Sequence, residues 1–285
     1  MPDLTLVCCG TPTPTPERFG SCYVVRVNGS TLMFDCGPAA THKLLRAGLR
    51  PTDVSHLFFT HHHYDHNADY PCFLLCRWDH ATKATPSLTI CGPKPTRAFT
   101  DALVGPDGAF AMDWRARVEH PASQETYRKR GGELPRSPPE NHVRDVEPGV
   151  VLETNDLRVT ASRAAHVGPW LEALSYRIDH GGGSIVISGD SGPCEELRCL
   201  ASGAGTLVLN LWDRQEDMSP NAAAGLLGTA DAGRVAAEAG AKRLILAHQP
   251  PSMCRSGAEE AAIVEVSRHF DGEIFFGHES GRYEI

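Results

Sequence analysis

The sequence lacks the features of a membrane-spanning, exported or strongly basic protein. No apolar run approaches the roughly 18 residues that a membrane-spanning helix needs, so we expect no membrane partner. No basic segment followed by a longer apolar stretch opens the chain, so we expect no signal peptide and a cytoplasmic location. Basic residues are outnumbered by acidic ones, 27 against 35, which gives a net charge of −8. This balance disfavours nonspecific binding to nucleic acid, which relies on basic surface.

The ten cysteines lack the spacing of a zinc knuckle and are scattered along the chain. Cys72 and Cys76 lie four positions apart, so we assign them no metal. Without an export signal, mostly buried, reduced thiols in a cytosolic protein are the better interpretation.

Strand and helix patterns alternate along a chain of 285 residues, 41% of them hydrophobic, which is enough to bury a large core. The Asn28-Gly29 pair predicts a hairpin turn between strands at 21–27 and 31–35. Further strands are predicted at 4–8, 55–60, 88–91, 157–162, 173–178, 184–188, 207–211, 243–247 and 273–276, and helices at 39–47, 70–78, 230–239 and 258–269. This alternation indicates a layered α/β fold with hairpins as well as crossovers.

One stretch, residues 105–148, shows little apolar periodicity and is rich in proline, glycine and charge at its centre. We interpret it as an exposed excursion from a single domain that spans residues 1–285. A lid or docking arm is one role for such a segment, and a mobile loop without a role is the other.

A dense group of metal-ligand residues, His61-His62-His63-Tyr64-Asp65-His66, follows the predicted strand at 55–60. Imidazole and carboxylate are ligands that zinc prefers. Residues at i and i+2 do not share a helix face, but they point the same way from an extended segment. We therefore expect His61 and His63 to point one way from the strand end, with Asp65 and His66 following at a bend.

Three more ligand-type residues, His166, Asp190 and His248, each stand just beyond a later predicted strand. Strand ends in α/β folds meet at one rim, where sites are usually built. The complete set has seven members, more than one tetrahedral zinc needs: His61, His63, Asp65, His66, His166, Asp190 and His248. Such a set suits two metal ions with a bridging carboxylate.

These residues resemble the metallo-β-lactamase superfamily, and within it the branch of ribonuclease Z and related arylsulfatases. The resemblance covers nearly the whole chain, including Phe34-Asp35-Cys36-Gly37 and Ser188-Gly189-Asp190. It implies a four-layer αβ/βα sandwich, with two mixed sheets inside and helices outside. It is also compatible with a homodimer.

The resemblance further implies two zinc ions, with Mn²⁺ or Fe²⁺ as alternatives. His61, His63 and His166 would hold one ion. Asp65, His66 and His248 would hold the other, and Asp190 would bridge them. Two ions flanking one water lower its pKa and present hydroxide to an electrophilic centre, and Asp65 would act as the catalytic residue that orients it.

The chain departs from ribonuclease Z in the strand after Asp190. Leu209 and Asn210 occupy the places of a His-Glu pair that assists the leaving group, and no histidine occurs between His180 and His248. Acid catalysis is typically worth about 10²–10⁴-fold and matters most for a poor leaving group. With the acidic net charge, this predicts a small-molecule ester substrate and disfavours nucleic acid as a partner.

Aromatic residues stand near the predicted rim, and the side chains we assign to substrate binding are Trp170, Trp212, Tyr64 and His278. The leading hypothesis is a binuclear zinc hydrolase of a small phosphodiester or sulfate ester. The first alternative is a carbonyl-substrate hydrolase (lactonase, thioesterase or β-lactamase-like), and the second is a ribonuclease Z-type endonuclease. An electron-transfer di-iron protein is disfavoured by His63, and a non-catalytic binding protein by the complete ligand set.

Overall fold

The computed structural model describes residues 2–285, which form two mixed β-sheets. The strands are β1 (Asp3–Cys8), β2 (Cys22–Val27), β3 (Ser30–Phe34), β4 (His56–Phe58), β5 (Thr89–Gly92), β6 (His142–Asp145), β7 (Gly149–Glu153), β8 (Leu157–Arg163), β9 (Leu174–His180), β10 (Gly183–Ile187), β11 (Thr206–Asp213), β12 (Leu227–Gly228), β13 (Arg243–Ala247), β14 (Glu273–Phe276) and β15 (Gly281–Glu284). The first sheet has the order β15-β1-β2-β3-β4-β5-β6. The second has the order β14-β13-β11-β10-β9-β8-β7, and β12 pairs with β11 beside it.

Residues 2–285 also form ten α-helices, some of which cover the outer faces of the sheets. They are α1 (Ala40–Arg46), α2 (Tyr64–Asn67), α3 (Tyr70–His80), α4 (Thr96–Val104), α5 (Ala111–Glu119), α6 (Pro121–Lys129), α7 (Glu195–Ala201), α8 (Pro220–Ala223), α9 (Thr229–Ala239) and α10 (Ala258–Ser267). Buried residues of α1 and α3 join one core with the first sheet, and those of α7, α9 and α10 join another with the second. Across residues 2–285, none of the helices combines the length and apolar character needed to cross a bilayer.

A third core lies between the two sheets and joins side chains of both. Phe34 and Phe58 of the first sheet stack with ring centroids 5.1 Å apart, and Tyr176 of the second sheet lies 5.4 Å from Phe58. Helices outside, two sheets inside and a core between them make the predicted four-layer sandwich, which is thereby confirmed.

The predicted hairpin forms as its sequence indicates. Val27 pairs with Ser30, and the two turn residues Asn28 and Gly29 have φ of 51° and 78°. Both values lie in the left-handed region that a two-residue hairpin turn of type I′ requires, and asparagine and glycine tolerate it best.

Strand direction explains why the predicted ligands meet at one rim. Strands β10, β11 and β13 are parallel, so their carboxyl ends lie on the same side. Strand β8 is antiparallel to β9, which is antiparallel to β10, so β8 runs in the direction of β10. The residues that follow β8, β10 and β13, which include His166, Asp190 and His248, therefore leave the second sheet at one edge.

The excursion at 105–148 contains regular structure that its sequence did not predict, namely α5, α6 and β6. Helix α6 buries none of its residues, so it carries no apolar stripe to reveal it. The segment is fastened to α3 through Arg136, whose side chain is only 3% exposed and bonds to Asp79 at 2.8 Å. The Arg136 guanidinium also lies 3.8 Å from the Trp78 ring centroid and 4.5 Å from that of Tyr127.

Candidate metal centre

The residues after β4 form an extended segment and then a single helical turn. His63 has extended backbone angles, and α2 begins at the next residue, so Asp65 and His66 lie on its first turn. Two loops of the first sheet hold this turn: Ser21 N donates to Asp65 O at 2.9 Å and Cys36 N donates to His66 O at 2.7 Å. A Cβ at Gly37 would overlap the Asp65 carbonyl oxygen, so only glycine permits this close approach.

Four of the predicted ligands form a first group: His61, His63, His166 and Asp190. His63 Nδ1 lies 3.0 Å from His61 Nε2 and 3.2 Å from His166 Nε2. Asp190 Oδ2 lies 4.0 Å from His61 Nε2 and 3.8 Å from His166 Nε2. These four ligand atoms all lie within 4.8 Å of one another.

The other three predicted ligands, Asp65, His66 and His248, form a second group. Asp65 Oδ2 lies 3.4 Å from His66 Nε2 and 3.2 Å from His248 Nε2. The second carboxylate oxygen of Asp190, Oδ1, faces this group, at 3.6 Å from His66 Nε2 and 3.5 Å from His248 Nε2. Asp190 therefore presents one oxygen to each group.

The donor sets fit divalent metal ions. Ligand atoms held about 2.0–2.1 Å from one ion lie roughly 3.3 Å apart in a tetrahedron, close to most of the spacings above. Asp65 Oδ1 and His66 Nε2 are buried and have no hydrogen-bond partner. Buried polar atoms without a partner are costly, so an ion held by the second group would satisfy His66 Nε2.

Charges in the centre favour metal-binding protonation states at two ligands. Burial raises the pKa of the Asp190 carboxyl, but the neighbouring His248 and His66 outweigh it and hold that pKa well below its usual range. Burial, together with the nearby His66, holds the pKa of His61 well below its usual range. An ionised carboxylate and a neutral imidazole are the forms that bind metals.

A buried hydrogen-bond network orients the histidines. Asp35, fully buried, accepts from the Thr60 backbone N–H at 2.7 Å and from the Thr60 hydroxyl at 2.8 Å. Its Oδ2 also lies 2.8 Å from His66 Nδ1. Thr60 Oγ1 lies 3.0 Å from His61 Nδ1, so the opposite ring nitrogens of both histidines face the centre. Such outer contacts fix the ring orientation and tautomer of metal ligands.

Two further predicted ligands, His166 and Asp190, are held by groups that the sequence pattern did not reveal. His166 Nδ1 lies 2.9 Å from the Gly225 carbonyl oxygen. Asp190 Oδ1 accepts from Asn210 Nδ2 at 2.8 Å. In the sequence, only the position of Asn210 in the strand next to β10 could have indicated this contact, because the residues that Asn210 contacts lie far away along the chain.

His248 sits in a strained loop that a buried cation stabilises. Its φ is 59°, a left-handed value that non-glycine residues rarely adopt. The next residue, Gln249, accepts from Arg18 Nη1 at 2.5 Å and donates to the Leu246 carbonyl at 2.6 Å. Arg18 also donates to the Gly277 carbonyl at 2.8 Å, so the segments around Arg18 and Gly277 hold the loop that carries His248.

The predicted substrate-binding residues are not equally placed. Trp170, four positions after His166, is 87% exposed, and Tyr64, between His63 and Asp65, is 59% exposed. Trp212 is half-buried at the end of β11. His278 lies 3.4 Å from Arg18 and 3.5 Å from Glu259, and in residues 2–285 no hydrogen bond or ion pair joins it to a ligand of either group.

Comparisons with known proteins agree with this geometry. Residues 15–74 match the metallo-beta-lactamase superfamily, and residues 110–249 match the beta-lactamase superfamily domain. A ribonuclease Z of Mycolicibacterium gilvum (strain PYR-GCK) is 29% identical over 292 residues, covering 100% of this chain and 96% of that one. A ribonuclease Z of Mycobacterium sp. (strain KMS) is 31% identical over 208 residues, 73% of this chain and 68% of that one. The crystal structure of the short form of human tRNase Z has a TM-score of 0.69 at 19% identity and covers 99% of both chains.

The relatives overturn two expectations from the sequence. The prediction of a small phosphodiester or sulfate ester as substrate was wrong, and so was the prediction that disfavoured nucleic acid as a partner. The net charge of −8 is a sum over the whole chain and says little about the charge around the centre. Two-metal sites in general stabilise both the attacking and the leaving oxygen, so a missing His-Glu pair does not exclude an RNA substrate. Of the functions considered, the ribonuclease Z alternative is the one that these relatives match.

Taken with the fold, these matches show that the chain belongs to the metallo-β-lactamase superfamily, in its ribonuclease Z branch, and is a metal-dependent hydrolase of ester bonds.

Proposed function

We propose that the chain is a ribonuclease Z-type endonuclease that hydrolyses a phosphodiester bond in RNA, with tRNA precursors as the substrate class. The observation that carries this proposal is its similarity to proteins named ribonuclease Z along the full length of the chain. The two ligand groups, which lie side by side, support the phosphodiesterase chemistry.

The metal site is part of the same proposal. His61, His63 and His166 would hold one ion, Asp65, His66 and His248 would hold the second, and Asp190 would bridge them. The orientation of the two Asp190 oxygens supports the bridge, and the predominance of imidazole supports zinc. When bound, two divalent ions supply Lewis acidity toward the phosphate and lower the pKa of water.

Asp65 is the catalytic carboxylate in this proposal. Its Oδ2 faces His66 and His248, whereas its buried Oδ1 has no hydrogen-bond partner. Burial raises the pKa of this carboxyl, but His66 and His248 outweigh burial and lower it below its usual range. Asp65 is therefore ionised at neutral pH, and its free oxygen can accept a hydrogen bond from the attacking water and so orient it.

Exposed aromatic side chains beside the ligands suit an RNA strand. Trp170 and Tyr64 lie within four residues of the ligands His166 and His63, whose ring nitrogens are 3.2 Å apart. Unpaired bases of RNA stack on such side chains. We assign Trp170 and Tyr64 to base stacking. Trp212 and His278 are assigned to the border of the RNA site.

The excursion at 105–148 is better suited to docking than to closing over the site. Arg117, Arg130 and Arg136 all contact Asp79 of α3, so the segment is held in place by several ion pairs. A lid would have to break these contacts with each opening. We therefore propose a fixed docking arm for RNA.

The test uses a tRNA precursor with a 3′ extension and purified, zinc-loaded protein. We expect removal of the extension by wild type, loss of cleavage in EDTA, and loss in Asp190→Ala. Asp179→Ala is the matched control, because Asp179 is a partly exposed carboxylate paired with Arg177 away from the centre. Cleavage at the wild-type rate in Asp190→Ala would contradict the role of Asp190 in the centre. Zinc-loaded protein that hydrolyses bis-p-nitrophenyl phosphate but leaves the precursor intact would refute the RNA substrate.

A further inference from the structure

We propose that Asn210 is a positioning residue for Asp190 and that Tyr23 fixes the orientation of its amide. The inference rests on the metal centre proposed above and is independent of the substrate. It assigns a role to a residue that the sequence marked only as a departure from ribonuclease Z.

Tyr23, Asn210 and Asp190 form a buried series of hydrogen-bonded side chains. It runs from the core between the sheets to the rim. Tyr23 of β2 is fully buried and donates from its hydroxyl to Asn210 Oδ1 at 2.9 Å. Asn210 of β11 is 2% exposed and donates from Nδ2 to Asp190 Oδ1 at 2.8 Å. The series joins a strand of the first sheet to a ligand of the second.

The tyrosine determines which end of the amide faces the carboxylate. Tyr23 donates its proton to the carbonyl end of Asn210, and this leaves the N–H end toward Asp190. The reversed amide would place its oxygen against a carboxylate oxygen, and two acceptors repel each other. The backbone N–H of Asn210 also donates to Ser188 Oγ at 3.0 Å, so the residue is fixed at both ends.

The contact acts on one carboxylate oxygen only. Asp190 Oδ1 is the oxygen that faces His66 and His248, while Oδ2 faces the first group. Asn210 therefore fixes the rotation of the carboxylate about its Cβ–Cγ bond, which places Oδ1 at the second group. Loss of the contact should weaken that group more than the first.

The experiment compares metal binding of wild type with Asn210→Asp and Tyr23→Phe. Asn210→Asp keeps the shape of the side chain but replaces the donor by a carboxylate that repels Asp190. We expect its affinity for one of two zinc ions to fall about 10–100-fold, the usual loss for an outer contact of a ligand, with the other ion retained. Tyr23→Phe should give a smaller loss, because the amide keeps its donor but is free to reverse. Zinc competition with a chromophoric chelator gives both affinities, and the metal content per chain gives the stoichiometry.

Tyr70→Phe is the matched control for Tyr23→Phe. Tyr70 is also fully buried and bonds through its hydroxyl to one side chain, Thr100, at 2.8 Å. Melting in EDTA reports damage to the metal-free fold for every variant. Wild-type affinity for both ions in Asn210→Asp would overturn the proposal. So would equal loss of both ions together with a lower melting temperature in EDTA, which indicates a structural role only. A wild type that binds fewer than two ions would instead overturn the two-metal centre itself.

Discussion

Replacement of Asp35 by asparagine should impair metal binding by His66, although no predicted ligand is itself substituted. Asp35 Oδ1 accepts from Thr60 N, and Oδ2 receives both the Thr60 hydroxyl and His66 Nδ1. The oxygen of the asparagine side chain can still accept the hydrogen bond from the Thr60 backbone N–H. In that orientation the asparagine NH₂ group faces His66. Two donors then face each other unless His66 moves its proton from Nδ1 to Nε2. Nε2 is the atom that faces Asp65 Oδ2 at 3.4 Å and Asp190 Oδ1 at 3.6 Å, and a protonated nitrogen cannot bind a metal.

The expected magnitude follows from the contact that is lost. A hydrogen bond to a charged group contributes about 1.5–3 kcal/mol, and each 1.4 kcal/mol is tenfold in affinity. The second metal ion should therefore bind about 10–100-fold more weakly, in line with other outer-contact substitutions. The first ion should be nearly unaffected, because His61 is oriented by Thr60 Oγ1, which remains.

The assay is zinc competition with a chromophoric chelator, combined with long-range ¹H–¹⁵N spectra that report the tautomer of His66. Asp69→Asn is the matched control, because Asp69 accepts from Thr41 N at 2.6 Å, is half-buried and is not a ligand. It should lower stability and leave both zinc affinities unchanged. If Asp35→Asn binds two ions with wild-type affinity while His66 keeps its proton on Nδ1, the reasoning is wrong.

Three further predictions follow from the structure. Asp190→Ala should lower turnover by orders of magnitude and reduce the metal content per chain, and unchanged metal content would remove the bridging assignment. Trp170→Ala should raise the KM for a tRNA precursor about 5–150-fold, as expected for about 1–3 kcal/mol of base stacking, while turnover of bis-p-nitrophenyl phosphate should stay constant. Leu45→Ala, which truncates an exposed apolar side chain outside the docking arm, should change neither quantity. Arg136→Ala should lower the free energy of unfolding by about 2–4 kcal/mol through loss of an ionic bond and two ring contacts, whereas Arg50→Ala at an exposed pair should leave the melting temperature nearly unchanged.

The fold, and the meeting of the seven predicted ligands at one rim, were accessible from the sequence because both depend on local patterns. Apolar runs predicted the strands, and a ligand-type residue beyond each of four strands predicted where the rim would lie. Asn28-Gly29 predicted its hairpin for the same reason, since the turn depends on the two residues themselves.

Features that depend on distant partners were not accessible. Strand β15 has little apolar character and forms by pairing with β1, some 280 residues earlier. Helix α6 has no buried face, and α5 buries only Ala111 and Trp114. In the sequence, Asn210 stood out only because it replaces the glutamate of the His-Glu pair. Its hydrogen bond to Tyr23 could not be foreseen, because the two residues are 187 positions apart. The substrate prediction was wrong because it relied on the net charge and on the absent His-Glu pair. The similarity to ribonuclease Z along the whole chain carries more information than either feature.

The division of the predicted ligands between the sheets would make the apolar core a determinant of metal affinity. His61, His63, Asp65 and His66 follow a strand of the first sheet, while His166, Asp190 and His248 follow strands of the second. Side chains such as Phe34, Phe58 and Tyr176 set the separation of the sheets, and with it the gap across which the two halves of the centre face each other. A change of one methylene in that core would therefore shift affinity without altering any ligand, and metal titration could serve as a gauge of core packing.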